Sequence, residues 1–322
     1  MIKLNRTIRL KQMPVTRESS SRSQGSSDAR DARRTILQDI AAATMDAIQH
    51  GSYLQHDLKH SIAASKQGTR YYAPNSLLSA WASAERPQRD RARVSLLEVS
   101  TLEGARLLAN EHAGQDTRPK IGVLNFASAK KPGGGFLNGA QAQEESIARS
   151  STLYPTLMTS VAQEFYTIHK RDPKGGYYSH AMIYSPGVTV FRDDQGGWVE
   201  PMQVDVLTSP AVNAGVVRRT LNGRVGGQSE EDRIARAMKE RMGRILYLFE
   251  SQGVGSVVLG SFGTGVFQNS VSTVASIWAE LLLEDGSRFE RSFEHVIFAV
   301  LGRQTYVEFE NVFSQYPSRT NT

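Results

Sequence analysis

The chain has 322 residues, no cysteine and a formal net charge of +6. Its hydrophobic content of 39% is enough for a large core, but no apolar run is long enough to span a membrane. The lack of cysteine excludes disulfides, thiolate zinc sites and a cysteine nucleophile, so we expect an intracellular protein, in the cytoplasm or nucleus, with no membrane partner.

The positive charge lies in the first 34 residues, which contain nine basic and three acidic residues, whereas the rest of the chain has 29 of each. A nucleic-acid surface on the body of the protein is therefore not expected. Six serines between Ser19 and Ser27, with few large apolar residues, predict a disordered leader over residues 1–34. A transit peptide and a basic arm that attracts a polyanion are the two alternatives for this segment.

Helical periodicity begins near Thr35 and ends at Gly51. Residues 52–92 are mixed and polar, and with this helix they predict an accessory region over residues 35–92. From Arg93 strands and helices alternate, which predicts an α/β layered domain over residues 93–310 and a tail over residues 311–322. The predicted strands are Val94–Val99, Lys120–Phe126, Ala181–Ser185, Val188–Phe191, Val204–Thr208, Val257–Leu259 and Phe293–Val300. The predicted helices are Thr101–Glu111, Glu144–His169 with a break expected at Pro155, Ser229–Gln252 and Ser270–Leu283.

Two glycine-rich loops follow predicted buried strands and precede predicted helices. The first contains Gly133-Gly134-Gly135, and the second reads Gly260-Ser-Phe-Gly-Thr-Gly265. Layered α/β proteins bind phosphates and substrates at such strand ends, where glycine lets backbone N–H groups approach a ligand. Neither loop matches a standard nucleotide fingerprint, and a purely structural turn is the alternative for each.

Eight residues after the triple glycine the chain has Gln143-Glu144-Glu145. Two adjacent carboxylates at the start of a predicted helix indicate acid–base chemistry on whatever the loop holds. The alternative is a solvated first turn, where the helix dipole favours acidic residues. Neighbouring residues point in different directions, so these two cannot flank one scissile bond and, if catalytic, must have different roles. One would be a proton donor with a near-neutral pKa caused by partial burial and a charged neighbour, and the other would bind sugar hydroxyls.

Two other patterns predict surface features. His56-Asp-Leu-Lys-His60 resembles the H-E-x-x-H zinc helix only superficially, because aspartate replaces glutamate and no third ligand is evident. We therefore predict a polar helix face without a metal at this position. Asp193-Asp194 lies in the turn-like stretch FRDDQGGW and predicts a solvated hairpin tip.

The sequence resembles the microbial-type poly(ADP-ribose) glycohydrolases over roughly residues 93–302. The central block of the resemblance is NFASAKKPGGGFLNGAQAQEES, which IARSSTLYPTL continues. Further similar segments follow in the family's order at Tyr184–Asp194, Val204–Gly215 and Val258–Asn269, and RYYAPNS at Arg70–Ser76 fits the accessory region more loosely. The resemblance implies a macrodomain-like three-layer α/β/α sandwich with a mixed central sheet and an N-terminal helical accessory region.

The resemblance also implies roles for individual residues. Glu145 would be the general acid/base, and Glu144 would bind ribose hydroxyls beside the scissile bond. Phe267 would pack against the terminal ribose. The other implied substrate-binding residues are Asn125 and Asn138 at the distal ribose, Gly133, Gly134, Gly135, Gly263, Thr264, Gly265 and Val266 at the diphosphate, and Gln143, Pro210, Asn213, Gly260 and Ser261 around them.

The activity implied is hydrolysis of ribose–ribose O-glycosidic bonds in poly(ADP-ribose), which releases ADP-ribose and needs no metal or redox cofactor. The implied partners are poly(ADP-ribose) or ADP-ribosylated proteins, and we expect a monomer that does not read nucleic acid. A mono-ADP-ribosyl-protein hydrolase of the same fold and a non-catalytic ADP-ribose-binding module are the alternatives. The second glutamate counts against a pure binding module, whereas the motifs do not separate polymer from singly modified protein as the substrate.

Overall fold

The computed structural model describes residues 21–114, 118–171 and 175–316, and for residues 21–28 the backbone alone. The helices are α1 (Ser21–His50), α2 (Lys59–Gly68), α3 (Thr101–Glu111), α4 (Gln143–Ser150), α5 (Leu153–Leu157), α6 (Ser160–Arg171), α7 (Ala214–Val217), α8 (Leu221–Ser251), α9 (Val271–Leu282) and α10 (Arg303–Phe313). The strands are β1 (Ser52–Tyr53), β2 (His56–Asp57), β3 (Arg70–Tyr72), β4 (Arg93–Leu97), β5 (Lys120–Phe126), β6 (Met182–Arg192), β7 (Trp198–Ser209), β8 (Val254–Leu259) and β9 (His295–Ala299). Short 3-10 turns occupy Leu77–Ala80 and Phe136–Asn138.

Seven strands form one mixed sheet in the order β3-β6-β7-β5-β8-β9-β4, and β1 and β2 form a separate hairpin. The five strands from β7 to β4 are parallel, whereas β3, β6 and β7 pair antiparallel. Because parallel strands end at the same edge, the segments that follow β5, β7, β8, β9 and β4 lie side by side there. Both glycine-rich loops are at this edge, as predicted.

Each face of the sheet carries its own apolar core. Val123 of β5 packs in the cluster that contains α3 and α6, and the next residue, Leu124, packs in the cluster that contains α8 and α9. This alternation follows from the two-residue period of a strand. The parallel strands are buried on both faces, which is why they are almost continuously apolar in the sequence. The predicted α/β/α architecture with a mixed sheet is confirmed.

Two element boundaries differ from the prediction because of tertiary contacts. The single helix predicted from Glu144 to His169 is divided into α4, α5 and α6, and α4 ends because Ser151 is extended and forms an isolated bridge with Val190 of β6. Pro155 does not mark the break and instead lies inside α5. The two strands predicted between Ala181 and Phe191 are one strand, β6, whose register shifts between Ser185 and Val188.

The predicted start of the long helix at Ser229 is also wrong. Helix α8 begins at Leu221, where the Thr220 side chain accepts a hydrogen bond from the Gly223 N–H. Its backbone is non-helical at Gly227, so the segment from Ser229 onward is the straight part after a kink. The predicted strand Lys120–Phe126 matches β5, and the predicted helix Thr101–Glu111 matches α3, residue for residue.

The accessory helix begins earlier than the sequence predicts. Helix α1 starts at Ser21 rather than near Thr35, so residues 21–34 of the predicted leader are helical, while residues 1–20 lie outside the described part of the chain. Arg34 Nε donates to the carbonyl of Asn138 at 2.9 Å, and Thr44 Oγ1 donates to the carbonyl of Arg149 at 2.6 Å. These contacts give α1 a docking surface that a reading of local sequence does not show. The division of the chain into a leader, an accessory region, a core and a tail stays a prediction, although α10 crosses the proposed limit at residue 310.

The two patterns predicted as surface features are only partly as expected. His56 and Asp57 form β2, and helix α2 begins only at Lys59, so the predicted helix face is wrong at His56. The His56 ring stacks on Tyr53. Within the described residues, no three His, Asp or Glu side chains are grouped so that they could hold a metal ion. Asp193-Asp194 does form the turn between β6 and β7, but Asp194 is half-buried, because the hairpin packs against the starts of α3 and α4. No helix in the described ranges is both long and apolar enough to cross a membrane.

Candidate active site

A cavity of about 530 Å³, here called the central cavity, opens at the edge where the parallel strands end. Its floor comes from the segment after β5 and the first turn of α4, and its opposite wall comes from the loop after β8. The lining residues are Phe126 to Lys131, Gly134, Gly135, Ala142 to Glu145, Tyr178, Ala211, Ser261 to Gly263 and Gly265 to Phe267. Both predicted catalytic glutamates are therefore in one cavity.

Gln143 fixes the start of α4 against the end of β5. Its side-chain oxygen accepts from the Phe126 N–H at 2.8 Å, and its side-chain nitrogen donates to the Leu124 carbonyl at 2.7 Å. The amide thereby pairs backbone groups at the end of β5, beyond the last residue of β5 that pairs with β8. Gln143 borders the cavity as predicted, but its amide is already used to hold the two glutamates that follow it.

Glu144 is 2% exposed and forms part of the cavity floor. One carboxylate oxygen accepts from the Ser128 N–H at 2.6 Å, and the other is 3.4 Å from Asn125 Nδ2. Burial raises the pKa of Glu144 to about 8, with a contribution from the neighbouring Glu145 charge, and the hydrogen bonds from Ser128, Asn125 and Gly133 oppose that rise only in part. Glu144 is therefore protonated near pH 7.

Glu145 is less buried, at 9% exposure, and is held differently. Oε1 accepts from the Gly135 N–H at 2.8 Å, and Oε2 has no hydrogen-bond partner among the described residues. A buried carboxylate oxygen without a partner is unusual in a folded protein and marks a group with a further use. Arg149, one turn along α4, is a buried guanidinium whose charged form the Glu145 charge favours, although burial lowers the pKa of Arg149 overall.

Gly134 is the residue on which the two carboxylates converge. Its φ is +61°, and a Cβ there would lie 2.2 Å from Glu145 Oε1 and 3.1 Å from Glu144 Oε2. No residue with a side chain fits this position without moving Glu145. Although neighbouring residues of a helix point in different directions, both carboxylates reach this point.

The loop after β8 lines the cavity and contains several backbone N–H groups that are not used within the loop. Phe262, Thr264 and Gln268 N–H groups bond within the loop itself. The N–H groups of four other residues have no partner among the described residues, namely Gly263, Gly265, Val266 and Phe267. Successive unpaired N–H groups in a turn form a concave anion site of the kind that binds phosphate. The loop is therefore a candidate anion site, and the diphosphate contact that the sequence predicts for it stays a prediction.

A second cavity of about 360 Å³, here called the lateral cavity, lies next to the central one. The two cavities share the residues Phe126, Ala142, Gln143 and Ser261. The lateral cavity has apolar walls from the ends of β4 and β9, where Val99 and Leu301 lie, and it is bordered by Asp194, which accepts from Ser100 Oγ at 2.5 Å and Ser146 Oγ at 3.2 Å. An elongated ligand could thus extend from one cavity into the other past Ser261 of the loop after β8.

Comparisons with known proteins agree with this geometry. Residues 41–193 match the model of the microbial-type PARG catalytic domain. The structure of poly(ADP-ribose) glycohydrolase from Thermomonospora curvata is similar, at 36% identity and a TM-score of 0.75, covering 89% of this chain and 100% of that chain. The chain belongs to the microbial-type poly(ADP-ribose) glycohydrolase family.

Two further structures from the family contain ligands. The Thermomonospora curvata glycohydrolase bound to the inhibitor ADP-HPD is 37% identical, with a TM-score of 0.74 and coverage of 88% of this chain and 99% of that chain. The Deinococcus radiodurans glycohydrolase in complex with ADP-ribose is 34% identical, with a TM-score of 0.69 and coverage of 79% of this chain and 97% of that chain. A search of curated proteins gave no match. The resemblance stated from the sequence is confirmed.

The structure places the predicted site residues in two groups. Lining the central cavity are Gly134, Gly135, Gln143, Glu144, Glu145, Ser261, Gly263, Gly265, Val266 and Phe267. Outside its lining are Asn125, Gly133, Asn138, Pro210, Asn213, Gly260 and Thr264. Each of the two asparagines predicted at the distal ribose is engaged elsewhere: Asn125 is fully buried beneath Glu144, and Asn138 is exposed with its carbonyl bonded to Arg34. Substrate contact stays a prediction for all seventeen residues.

Sequence reasoning missed Tyr178 and the segment Ala127–Lys131. Tyr178 has a left-handed φ of +52°, and its ring centroid is 5.9 Å from that of Phe267. A signal was present in the sequence, because the aromatic pair Tyr177-Tyr178 directly follows two glycines. Nothing local, however, indicates that this segment reaches a cavity built from β5 and β8.

Proposed function

We propose that this chain hydrolyses the ribose–ribose O-glycosidic bonds of poly(ADP-ribose), with Glu145 as general acid/base. The observation that carries the proposal is the Glu145 carboxylate, which lines the central cavity. One of its oxygens is fixed by the Gly135 N–H, and the other has no hydrogen-bond partner in the part of the chain that the structure describes. A group that exchanges a proton with substrate needs one fixed oxygen for orientation and one free oxygen for reaction.

The choice between the two glutamates follows from geometry rather than from pKa alone. Glu144 has the raised pKa expected of an acid, but it is almost completely buried and both of its oxygens have partners. A catalytic acid must reach the proton that it transfers, so reach is decided before pKa. Glu144, neutral near pH 7, is instead suited to hold a ribose hydroxyl.

The reaction then proceeds in two proton transfers on one residue. Glu145 donates its proton to the departing ribose oxygen as the bond from that oxygen to the anomeric carbon breaks, and the bonding electrons stay with the oxygen. The ribosyl centre becomes oxocarbenium-like, and the bound diphosphate close to it offsets the positive charge. Water attacks the anomeric carbon and loses a proton to the Glu145 carboxylate, which restores the acid.

The rest of the cleft supports the placement of one ADP-ribose unit. The unpaired N–H groups of Gly263, Gly265, Val266 and Phe267 would hold the diphosphate. The distal ribose would then lie in the central cavity against Phe267, and the adenine would lie in the lateral cavity between Phe126 and Leu301. The apolar side chains in its lining, among them Val99, Phe126 and Leu301, are suited to a flat base.

The test compares release of ADP-ribose with its binding. Glu145→Gln should lower release from automodified polymer by at least about 10²–10⁴-fold while the Kd for ADP-ribose stays within a few-fold, because the amide keeps the contact to Gly135 but cannot donate and accept the proton. Glu164→Gln, an exposed change on α6, is the matched control and should leave both quantities unchanged. Turnover by Glu145→Gln comparable with wild type would rule out the assignment.

The same assay separates the substrate classes. Release from polymer but not from singly modified protein supports the glycohydrolase proposed here. Release from singly modified protein alone would instead identify a mono-ADP-ribosyl hydrolase, and binding without release from either substrate would identify a binding module.

A further inference from the structure

Arg241, on α8, is a buried charge that the catalytic proposal does not use. Its side chain is 1% exposed, and it forms no ion pair with a carboxylate among the described residues. Burying an uncompensated guanidinium is costly, so a protein that keeps one uses its donors for a specific contact.

The donors of Arg241 go to two chain segments that are distant in sequence. NH1 donates to the carbonyl of Pro210, directly after β7, at 2.8 Å. NH2 donates to the carbonyl of Tyr177 at 2.9 Å, and Nε lies 3.4 Å from His180 Nδ1. One planar side chain therefore fastens residues 177–180 to the loop after β7.

Both fastened segments carry walls of the central cavity. Ala211 follows Pro210, and Tyr178 follows Tyr177, and both line the cavity. Tyr178 is held in a left-handed conformation, which a residue with a side chain adopts only when its surroundings impose it. Its ring lies against Phe267 on the cavity side and edge-on to His169 behind.

We propose that Arg241 is a positioning residue for glycoside hydrolysis, holding Tyr178 against Phe267 so that the two rings form a rigid wall at the sugar end of the cavity. This inference rests on the proposed function, because it assigns the wall to the sugar that is hydrolysed. A wall that shifts by about 1 Å moves the anomeric carbon relative to Glu145, which typically costs on the order of 100-fold in rate. Arg241 itself does not touch the substrate.

The test uses Arg241→Met and Arg241→Lys with a matched control. Arg288 is also buried, bonds a carbonyl at Trp81 and pairs with Glu250 far from the cavity, so Arg288→Met removes a comparable buried guanidinium without touching the wall. Arg241→Met should lower kcat on polymer by about 100-fold with a smaller change in KM. Arg241→Lys, which can still reach one carbonyl, should recover part of that loss. Arg288→Met should lower the Tm but leave kcat within about twofold.

A double-mutant cycle shows whether Arg241 acts through Tyr178. Tyr178→Ala should reduce kcat by itself, and Arg241→Lys should add little in that background, since the ring that it positions is gone. If the effects of Arg241→Lys and Tyr178→Ala on kcat multiply independently, the proposal is overturned. It is also overturned if the Arg241 variants lower the Tm but, like Arg288→Met, leave kcat within about twofold. If Arg241→Met does not fold, Arg241→Lys completes the cycle. A wild-type protein that releases no ADP-ribose would instead overturn the proposed function, and the role of Arg241 with it.

Discussion

Glu144→Gln should change the pH dependence of folding stability in a way that the structure quantifies. Burial raises the pKa of Glu144 to about 8 from an ordinary 4.5. The folded protein therefore binds one more proton than the unfolded chain between these two values, and the free energy of unfolding falls as the pH rises through that window. The slope is about 1.4 kcal/mol for each pH unit, and the whole window corresponds to about 5 kcal/mol. Stability contributed by the protonated group is fully present below pH 4.5 and is lost above pH 8.

Glutamine cannot ionise. Its amide can accept from the Ser128 N–H as the carboxyl does, and it can donate toward Asn125, whose Oδ1 has no partner among the described residues. The variant should therefore become more stable than wild type as the pH rises, with the difference in the free energy of unfolding growing by about 3 kcal/mol between pH 5.5 and pH 8. Urea titrations at half-unit pH steps measure this difference, and Glu164→Gln serves as the exposed control with a flat profile. If the difference in the free energy of unfolding between Glu144→Gln and wild type does not change over this pH range, the buried carboxyl is ionised in the folded protein and the reasoning is refuted.

Two other predictions test the triple-glycine loop and the proposed adenine site in the lateral cavity. Gly134→Ala should reduce turnover at least about 100-fold, because its Cβ would displace Glu145. The control is Gly253→Ala, at a similar φ of +69° with nothing within 4 Å, which should lose only about 1 kcal/mol of stability and no activity. Equal turnover by the two variants would contradict the contact between position 134 and Glu145. Leu301→Ala should raise the Kd for ADP-ribose about fivefold with kcat unchanged, because an adenine in the lateral cavity would cover this 65% exposed side chain. Leu77→Ala, at 88% exposure elsewhere, should leave the Kd unchanged. Titration calorimetry measures both values, and an unaltered Kd for Leu301→Ala would show that adenine does not bind in that cavity.

Much of the site was predictable because its central part is local in sequence. The strand Lys120–Phe126, the triple glycine and Gln143-Glu144-Glu145 fall within 26 residues, and the α/β alternation places them at the end of a parallel strand. A glycine at position 134 and acids at 144 and 145 thus indicate a catalytic loop before any coordinates are known. The helix boundaries were less predictable, since α4 ends where Ser151 bridges to β6, a contact between segments far apart in the chain.

The sequence by itself determined the positions of β4 to β9 in the chain, the two glycine loops and the presence of paired carboxylates, because strand period, turn chemistry and motif spacing are properties of neighbouring residues. It did not predict β3. Only the tertiary structure decided that the pKa of Glu144 is raised, since its desolvation depends on the packing of the first turn of α4 against the end of β5, whereas the hydrogen bonds from Asn125 and Ser128 oppose the rise. It also decided that Tyr178 joins the cavity wall, because Arg241, more than sixty positions later in the chain, supplies the donors that hold it there. Burial and long-range hydrogen bonding are set by the packing of the whole domain, which no local pattern contains.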